Sequence, residues 1–299
     1  MLDYLHIPKQ QKGNIDYFRG ISNTDGGSWI AWEKPSHIQM IRITCISGGG
    51  GGGSGFTAAS TTARAGGGGG GSSAISIVTI PAYVLPDILY VSSGIGGTGG
   101  ARINVGANVG TNGINSYVCI AQNTGVIYRV CYADSGKAGT AATSTAGGGS
   151  GAGGTIATTA DMLLASYGIS NFIGGQAGST GSLTGANGIN YPTTGLLLSG
   201  GSGGSGGTSA NGNGISAPTQ TVYNIFPSIN DNGGTGIEIY QPLLSTGGSC
   251  GYAATAGGTD GGTGGFGSGG GGGGAGGTGG TFGGAGGKGG NGLVIIHSW

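Results

Sequence analysis

Glycine occupies 80 of the 299 positions, and three runs, 48–53, 66–71 and 269–274, contain nothing else. An average chain of this length would carry roughly 20 glycines. Glycine loses more backbone freedom on folding than any other residue, so a glycine run orders only if something compensates. Two outcomes compete. Gly-rich tracts are ordinarily flexible linkers. Alternatively they form polyproline II helices, with three residues per turn and no internal hydrogen bonds, packed so closely that each backbone bonds its neighbours. Collagen is excluded, because only 8 prolines are present and no chain-long Gly-X-Y period exists.

A period of three favours the second. Ala275, Thr278 and Thr281 are each separated by Gly-Gly, and after a slip of one residue Phe282, Ala285, Lys288 and Asn291 repeat the spacing. Position agrees with it. Glycine runs follow Ile46 after a single serine, precede Ala74 with two serines between, and lead into Leu293, all of which belong to strand-like segments that must pair with one another. The tracts therefore lie inside a domain and pack as three-fold helices.

The strand-like segments are Ile41–Ile46, Ala74–Ile80 closed by Pro81, Ile88–Ser92, Ser116–Ala121, Val126–Tyr132, Thr221–Phe226, Gly236–Tyr240 and Leu293–Trp299. They are short, rich in β-branched residues and bounded by Gly, Pro, Asn or Ser, which is the strand signal. In the first, Ile41, Ile43 and Cys45 share one face. Only Asp161–Tyr167 invites a helix. The expected class is mainly β: a β-sandwich-like domain combined with packed polyglycine helices and almost no α-helix. Leu293–Trp299 is expected to pair in the same sheet system as Ile38–Ile46. Residues 133–260 read as a long loop-rich insertion of Gly, Ser, Thr and Ala.

Residues 1–28 stand apart. The first 42 residues hold nine of the chain's charges, although charged residues make up only 7% of the whole. Tyr4, Ile7, Tyr17, Phe18 and Arg19 mark this segment as an arm that docks on a partner, with the domain proper over 29–299. Formal charge is zero, which gives no electrostatic footprint for nucleic acid or an anionic membrane. No run of 18 apolar residues is present to insert into a bilayer.

Chemistry finds little support. Gly287-Lys288-Gly289 and Gly136-Lys137-Ala138 both lack the Ser or Thr that a phosphate-binding loop requires. His6, His37 and His297 are far apart and lack partners at metal-ligand spacing, and the four cysteines form no CxxC pair. Asn230–Gly233 has neither the first nor the twelfth ligand of a calcium loop. No cofactor, metal or catalytic residue is expected, and the chain reads as a non-enzyme. Binding remains. Tyr167, Phe172, Tyr191, Tyr223, Phe226 and Tyr240 lie among Gly, Ser and Asn. Rigid amphipathic rings with adaptable hydrogen bonding around them make recognition surfaces.

One resemblance is carried by particular residues. Trp29-Ile30-Ala31-Trp32-Glu33-Lys34-Pro35 leads into the strand at 38–46 and then Gly48–Gly53; Ile75–Ile80 follows; and the chain closes with Gly286-Gly287-Lys288-Gly289-Gly290-Asn291-Gly292 before the strand to Trp299. This pattern resembles the glycine-rich domain of bacteriophage virion proteins, especially fibre and receptor-binding proteins. The resemblance implies a location on the virion after synthesis in the host cytoplasm. It implies assembly as a homo-oligomer, a trimer being one form, and contact with a host surface glycan or outer-membrane protein. Residues 1–28 would then dock on other virion proteins. The same domain would also suit a head fibre or a capsid or tail decoration without a receptor, and flat Thr and Ala faces would suit ice binding.

Overall fold

A computed structural model describes residues 13–57, 64–163, 168–182, 198, 200–201, 233–240, 243–253, 257–276 and 282–299. Among them are eleven strands: β1 (Asn14–Arg19), β2 (Ile30–Glu33), β3 (Met40–Ile46), β4 (Ile75–Pro81), β5 (Ile88–Ser92), β6 (Ser116–Cys119), β7 (Arg129–Ala133), β8 (Ile169–Ile173), β9 (Glu238–Tyr240), β10 (Leu243–Ser245) and β11 (Leu293–Ser298). A five-stranded antiparallel sheet runs β1-β11-β3-β4-β8, and a four-stranded one runs β2-β5-β6-β7. β9 and β10 pair as a small third sheet.

The two larger sheets face each other. Ile41, Ile43 and Cys45 of β3, Val78 and Ile80 of β4, and Val294 and Ile296 of β11 meet Leu89 and Val91 of β5, Val118 of β6 and Val130 and Cys131 of β7. Alternation puts most of these side chains inward and exports their neighbours, and an irregularity in the β6–β7 register opposite Val118 and Cys119 lets the adjacent Val130 and Cys131 both reach the core. Ile46, Ile75 and Leu293, on the opposite face of the large sheet, are covered by Leu198 and Phe266. β11 lies between β1 and β3, as the apolar pattern of 293–299 predicts.

The glycine tracts leave the strands without a break. Residues 48–56 continue β3, 94–100 continue β5, 134–142 continue β7 and 174–182 continue β8, while 65–74 run into β4, 108–115 into β6 and 284–292 into β11. The segment 48–56 shows what these tracts are. Its N–H groups donate in strict rotation to three antiparallel neighbours. Gly48, Gly51 and Ser54 reach Ile114, Thr111 and Asn108; Gly49, Gly52 and Gly55 reach Gly290, Gly287 and Gly284; Gly50, Gly53 and Phe56 reach Gly71, Gly68 and Ala65. Its carbonyls accept with the same period from three parallel neighbours: Gly136, Gly139 and Ala142; Gly97 and Gly100; Gly270, Gly273 and Gly276. Six described segments thus surround one helix, and every third residue returns to the same neighbour. A three-residue turn without internal bonds is the polyproline II helix.

Glycine is required because the backbones touch. A Cβ on Gly286 would overlap the carbonyl oxygen of Gly52, on Gly287 that of Gly262, on Gly289 that of Gly49 and on Gly290 that of Gly265. The third position of each repeat points outward: Ala285 is half-buried and Lys288 exposed. The spacing read from the last repeats reports this packing.

Two boundaries move. The described parts of the presumed insertion 133–260 are lattice as well as loop. Gly136 and Gly139, then Gly148, Gly151 and Gly154, then Gly175, Gly178 and Gly181 recur every third residue and donate to neighbouring helices. The arm boundary at 28 also falls inside the folded body, because β1 pairs with β11 over its full length. Trp32 Nε1 fastens it further by donating to Asp16 Oδ2 at 2.8 Å. A single 3-10 turn, Thr159–Asp161, capped by Thr158, ends on the first residue of the segment expected as a helix, Asp161–Tyr167, of which 164–167 lie outside the described residues. So does Thr221–Phe226. Val126–Tyr128 forms a 3-10 turn that delivers the chain into β7.

The sandwich must narrow to enter the lattice. Facing sheets stand about 10 Å apart, whereas lattice backbones hydrogen-bond directly. The residues in the narrowing are small. Ser47 Oγ donates to Ala133 O at 2.5 Å and accepts from Ser116 N at 2.7 Å, and Ser116 Oγ donates to Ile46 O at 2.9 Å.

Candidate binding surface

β1 carries alternating side chains onto two faces. Phe18 points into the sandwich and packs against its core, as Phe172 does from the other edge strand. Both rings are half-buried in this packing, so each uses part of its surface inside the protein. Tyr17 and Arg19 point to the outer face. Tyr4, Ile7, Tyr167, Tyr191, Tyr223 and Phe226 lie outside the described residues.

On that outer face Tyr17 and Arg19 meet the β9–β10 hairpin. The Tyr17 ring stands edge-on to Tyr240 with centroids 6.3 Å apart, and Tyr240 leans on Phe266 at 5.4 Å. Arg19 Nη1 donates to the Tyr240 hydroxyl at 2.9 Å, and Arg19 Nη2 pairs with Glu238. Phe266 is fully buried and anchors the group, while Tyr17 is 51% and Tyr240 40% exposed. Two residues assigned to particle docking and one assigned to receptor contact are therefore parts of one surface. Ile15, two positions along β1, extends it and is exposed as well. The arrangement offers ring faces beside a fixed cation and a carboxylate. It is suited to a ligand that combines a flat apolar face with hydroxyl or amide groups.

A second aromatic cluster escaped the sequence. On the outer face of the smaller sheet Tyr117 and Tyr132 stack at 5.2 Å, and the Arg129 guanidinium lies 4.4 Å from the Tyr132 ring centre and 5.3 Å from that of Tyr117. Tyr117 donates its hydroxyl to Asp25 at 3.0 Å, and Trp29 covers the pair. Burial pushes both phenols well above their ordinary range. Tyr117 is buried, so this cluster straps the 22–29 loop to the sheet. Cross-strand pairing, Tyr117 opposite Tyr132, creates it.

The Trp-Glu-Lys-Pro run has a structural role. Trp32 is in the core; Lys34 Nζ donates to Ala82 O at 3.2 Å and Leu85 O at 2.7 Å and pairs with Asp87 at 3.2 Å. The loop that follows holds His37 at a φ of 68° and separates two shallow clefts of about 460 and 200 Å³, at the sandwich end away from the lattice. Among the described residues, no group of three His, Cys, Asp or Glu side chains is arranged to hold a metal, and no helix is long and apolar enough to cross a membrane.

The model of the glycine-rich domain matches residues 23–299. The chain belongs to the glycine-rich domain family. The family span starts after β1, so this glycine-rich domain protein completes its large sheet with a strand that lies ahead of the matched region. The described glycine lattice and the rest of the sandwich fall within the match. No curated protein sequence matches the chain.

Proposed function

We propose that this glycine-rich domain protein is a non-enzymatic structural protein displayed on a bacteriophage virion, as a fibre or adhesin that contacts the host cell surface. The polarity of the molecule supports this reading. Asn14 pairs with Ser298 at the sandwich end remote from the lattice, so residues 1–12 join the body there. At the opposite pole Thr57 pairs with Gly106, and the 101–107 loop exposes Val105. A seven-residue strand followed by a nine-residue glycine helix separates the poles by about 50 Å. A body attached to a particle through its first residues would hold the lattice outward. The Tyr17–Arg19–Glu238–Tyr240 flank is the candidate contact surface, for a host glycan or outer-membrane protein.

Particles carrying the Tyr17→Ala, Tyr240→Ala double variant test the proposal. Adsorption to host cells should slow at least tenfold while the variant is incorporated normally. Unchanged adsorption of particles that hold the protein in hundreds of copies would favour a decoration role. Purified particles without the protein would end the virion reading.

A further inference from the structure

Where the sheets close toward the lattice, Cys45 of β3 and Cys131 of β7 lie together, both fully buried in the sandwich core. Cys131 Sγ donates to Ser76 O at 3.5 Å, and Ser76 is the β4 residue paired with Cys45, so the two cysteines approach each other within one core cluster. The two cysteines belong to different sheets. Cys119 of β6 is also buried and within electrostatic reach of both, but it falls outside the core cluster that holds Cys45 and Cys131, and Cys250 lies among the glycine tracts. No disulfide joins any of these four cysteines.

We propose that Cys45 and Cys131 are a latent disulfide that staples the two sheets once the protein leaves a reducing cell interior. Burial holds the Cys45 thiol well above its ordinary range, so it stays protonated and exchange waits for the sandwich to open. Cytoplasmic thiol buffers keep such a pair reduced, whereas an extracellular medium does not. The oxidant is a small-molecule disulfide such as oxidised glutathione. One cysteine thiolate attacks a glutathione sulfur, forms a mixed disulfide and releases one glutathione thiolate. The second cysteine thiolate then attacks the protein sulfur of that mixed disulfide and expels the other. The protein pair loses two electrons to glutathione disulfide, and the two thiol protons end on the two glutathione products. The bond closes a long loop, 45–131, and so constrains the unfolded chain. The bond itself needs only the approach of the two thiols, while its timing rests on the virion reading, in which the protein leaves the cell that made it.

The full-length reduced protein should be incubated with oxidised glutathione at pH 8, a few degrees below its melting midpoint, then alkylated and mapped without reduction. The expected product links the Cys45 and Cys131 peptides and leaves Cys119 and Cys250 alkylated. Its melting midpoint rises by several degrees and returns on reduction. Cys45→Ala and Cys131→Ala should each lose that shift, so either variant serves if the other fails to fold. Alkylation of all four cysteines, glutathione adducts without a cross-link, or a cross-link to Cys119 or Cys250 would overturn the proposal.

Discussion

The sandwich and the glycine lattice satisfy the same requirement by opposite means. Buried N–H and C=O groups must find partners. In the sandwich each interior strand bonds two neighbours in a plane, and the faces are filled by side chains such as Ile43, Val78 and Leu89, all fully buried. In the lattice segment 48–56 bonds six neighbours and has almost no side chains to bury. The first region gains from apolar area removed from water. The second gains from close backbone contact and from hydrogen bonds each worth about 1 kcal/mol net. These offset the extra entropy that glycine loses. The lesson is that a chain with few large side chains still builds an ordered interior, provided its backbones approach closely enough to become each other's solvent.

The difference is sharpest in how each region responds to one methyl group. Gly50→Ala adds a Cβ that would overlap the Lys137 carbonyl oxygen, inside the most enclosed helix. Overpacking of this kind costs about 3 kcal/mol. Ile43→Val removes a methylene from the sandwich core and should cost about 1 kcal/mol. Denaturant midpoints of the two variants compare them directly. If Gly50→Ala costs no more than Ile43→Val, the lattice yields and the contrast collapses.

Lys34 probes the sandwich end remote from the lattice. Its ammonium bonds two carbonyls and its side chain is only 16% exposed. Lys34→Ala leaves Ala82 O and Leu85 O without that donor and should cost about 2 kcal/mol, with little change in lattice order. Amide exchange resolved by region reads this: faster exchange in β4 and β5, with the glycine tracts still protected. Loss of protection throughout would show that the two regions melt as one.

Asp134 stands at the junction between them, and its effect should be smaller. Burial would raise its carboxyl, but the Thr155 N–H at 2.9 Å and Lys137 at 3.1 Å outweigh that and hold it below its ordinary value. A depressed folded pKa contributes stability above the unfolded value of about 3.9, and that stability disappears as pH falls through the folded value. The wild type should therefore lose stability on acidification below about pH 4 more steeply than Asp134→Asn, in melts run at each pH. Parallel curves would mean that the junction does not depend on this carboxylate.

Much of the fold was legible because its signals are local. β3, β4, β5 and β11 are β-branched runs bounded by glycine or proline, and the lattice announced itself where Gly-Gly-X kept time beside Lys288. The rest depends on partners far along the chain. β1 reads as a charged arm because Asp16 and Arg19 interrupt it, yet Asp16 accepts from Trp32 and Arg19 reaches Glu238. Tyr240 was recognisable as a recognition residue, but nothing near it in sequence names Tyr17 or Arg19 as neighbours. Lattice glycines at 136–154 and 175–181 were obscured because varied small residues fill the intervening positions.

A lattice that repeats every three residues cannot measure its own length. Shift the 48–56 helix by three residues and each N–H meets a carbonyl equivalent to the one it left. Only the strands at its ends, with side chains that fit one place, fix where it stops. Such a body is quantised along its axis. It lengthens in steps of about 9 Å, one Gly-Gly-X unit at a time, and only when the surrounding helices lengthen with it.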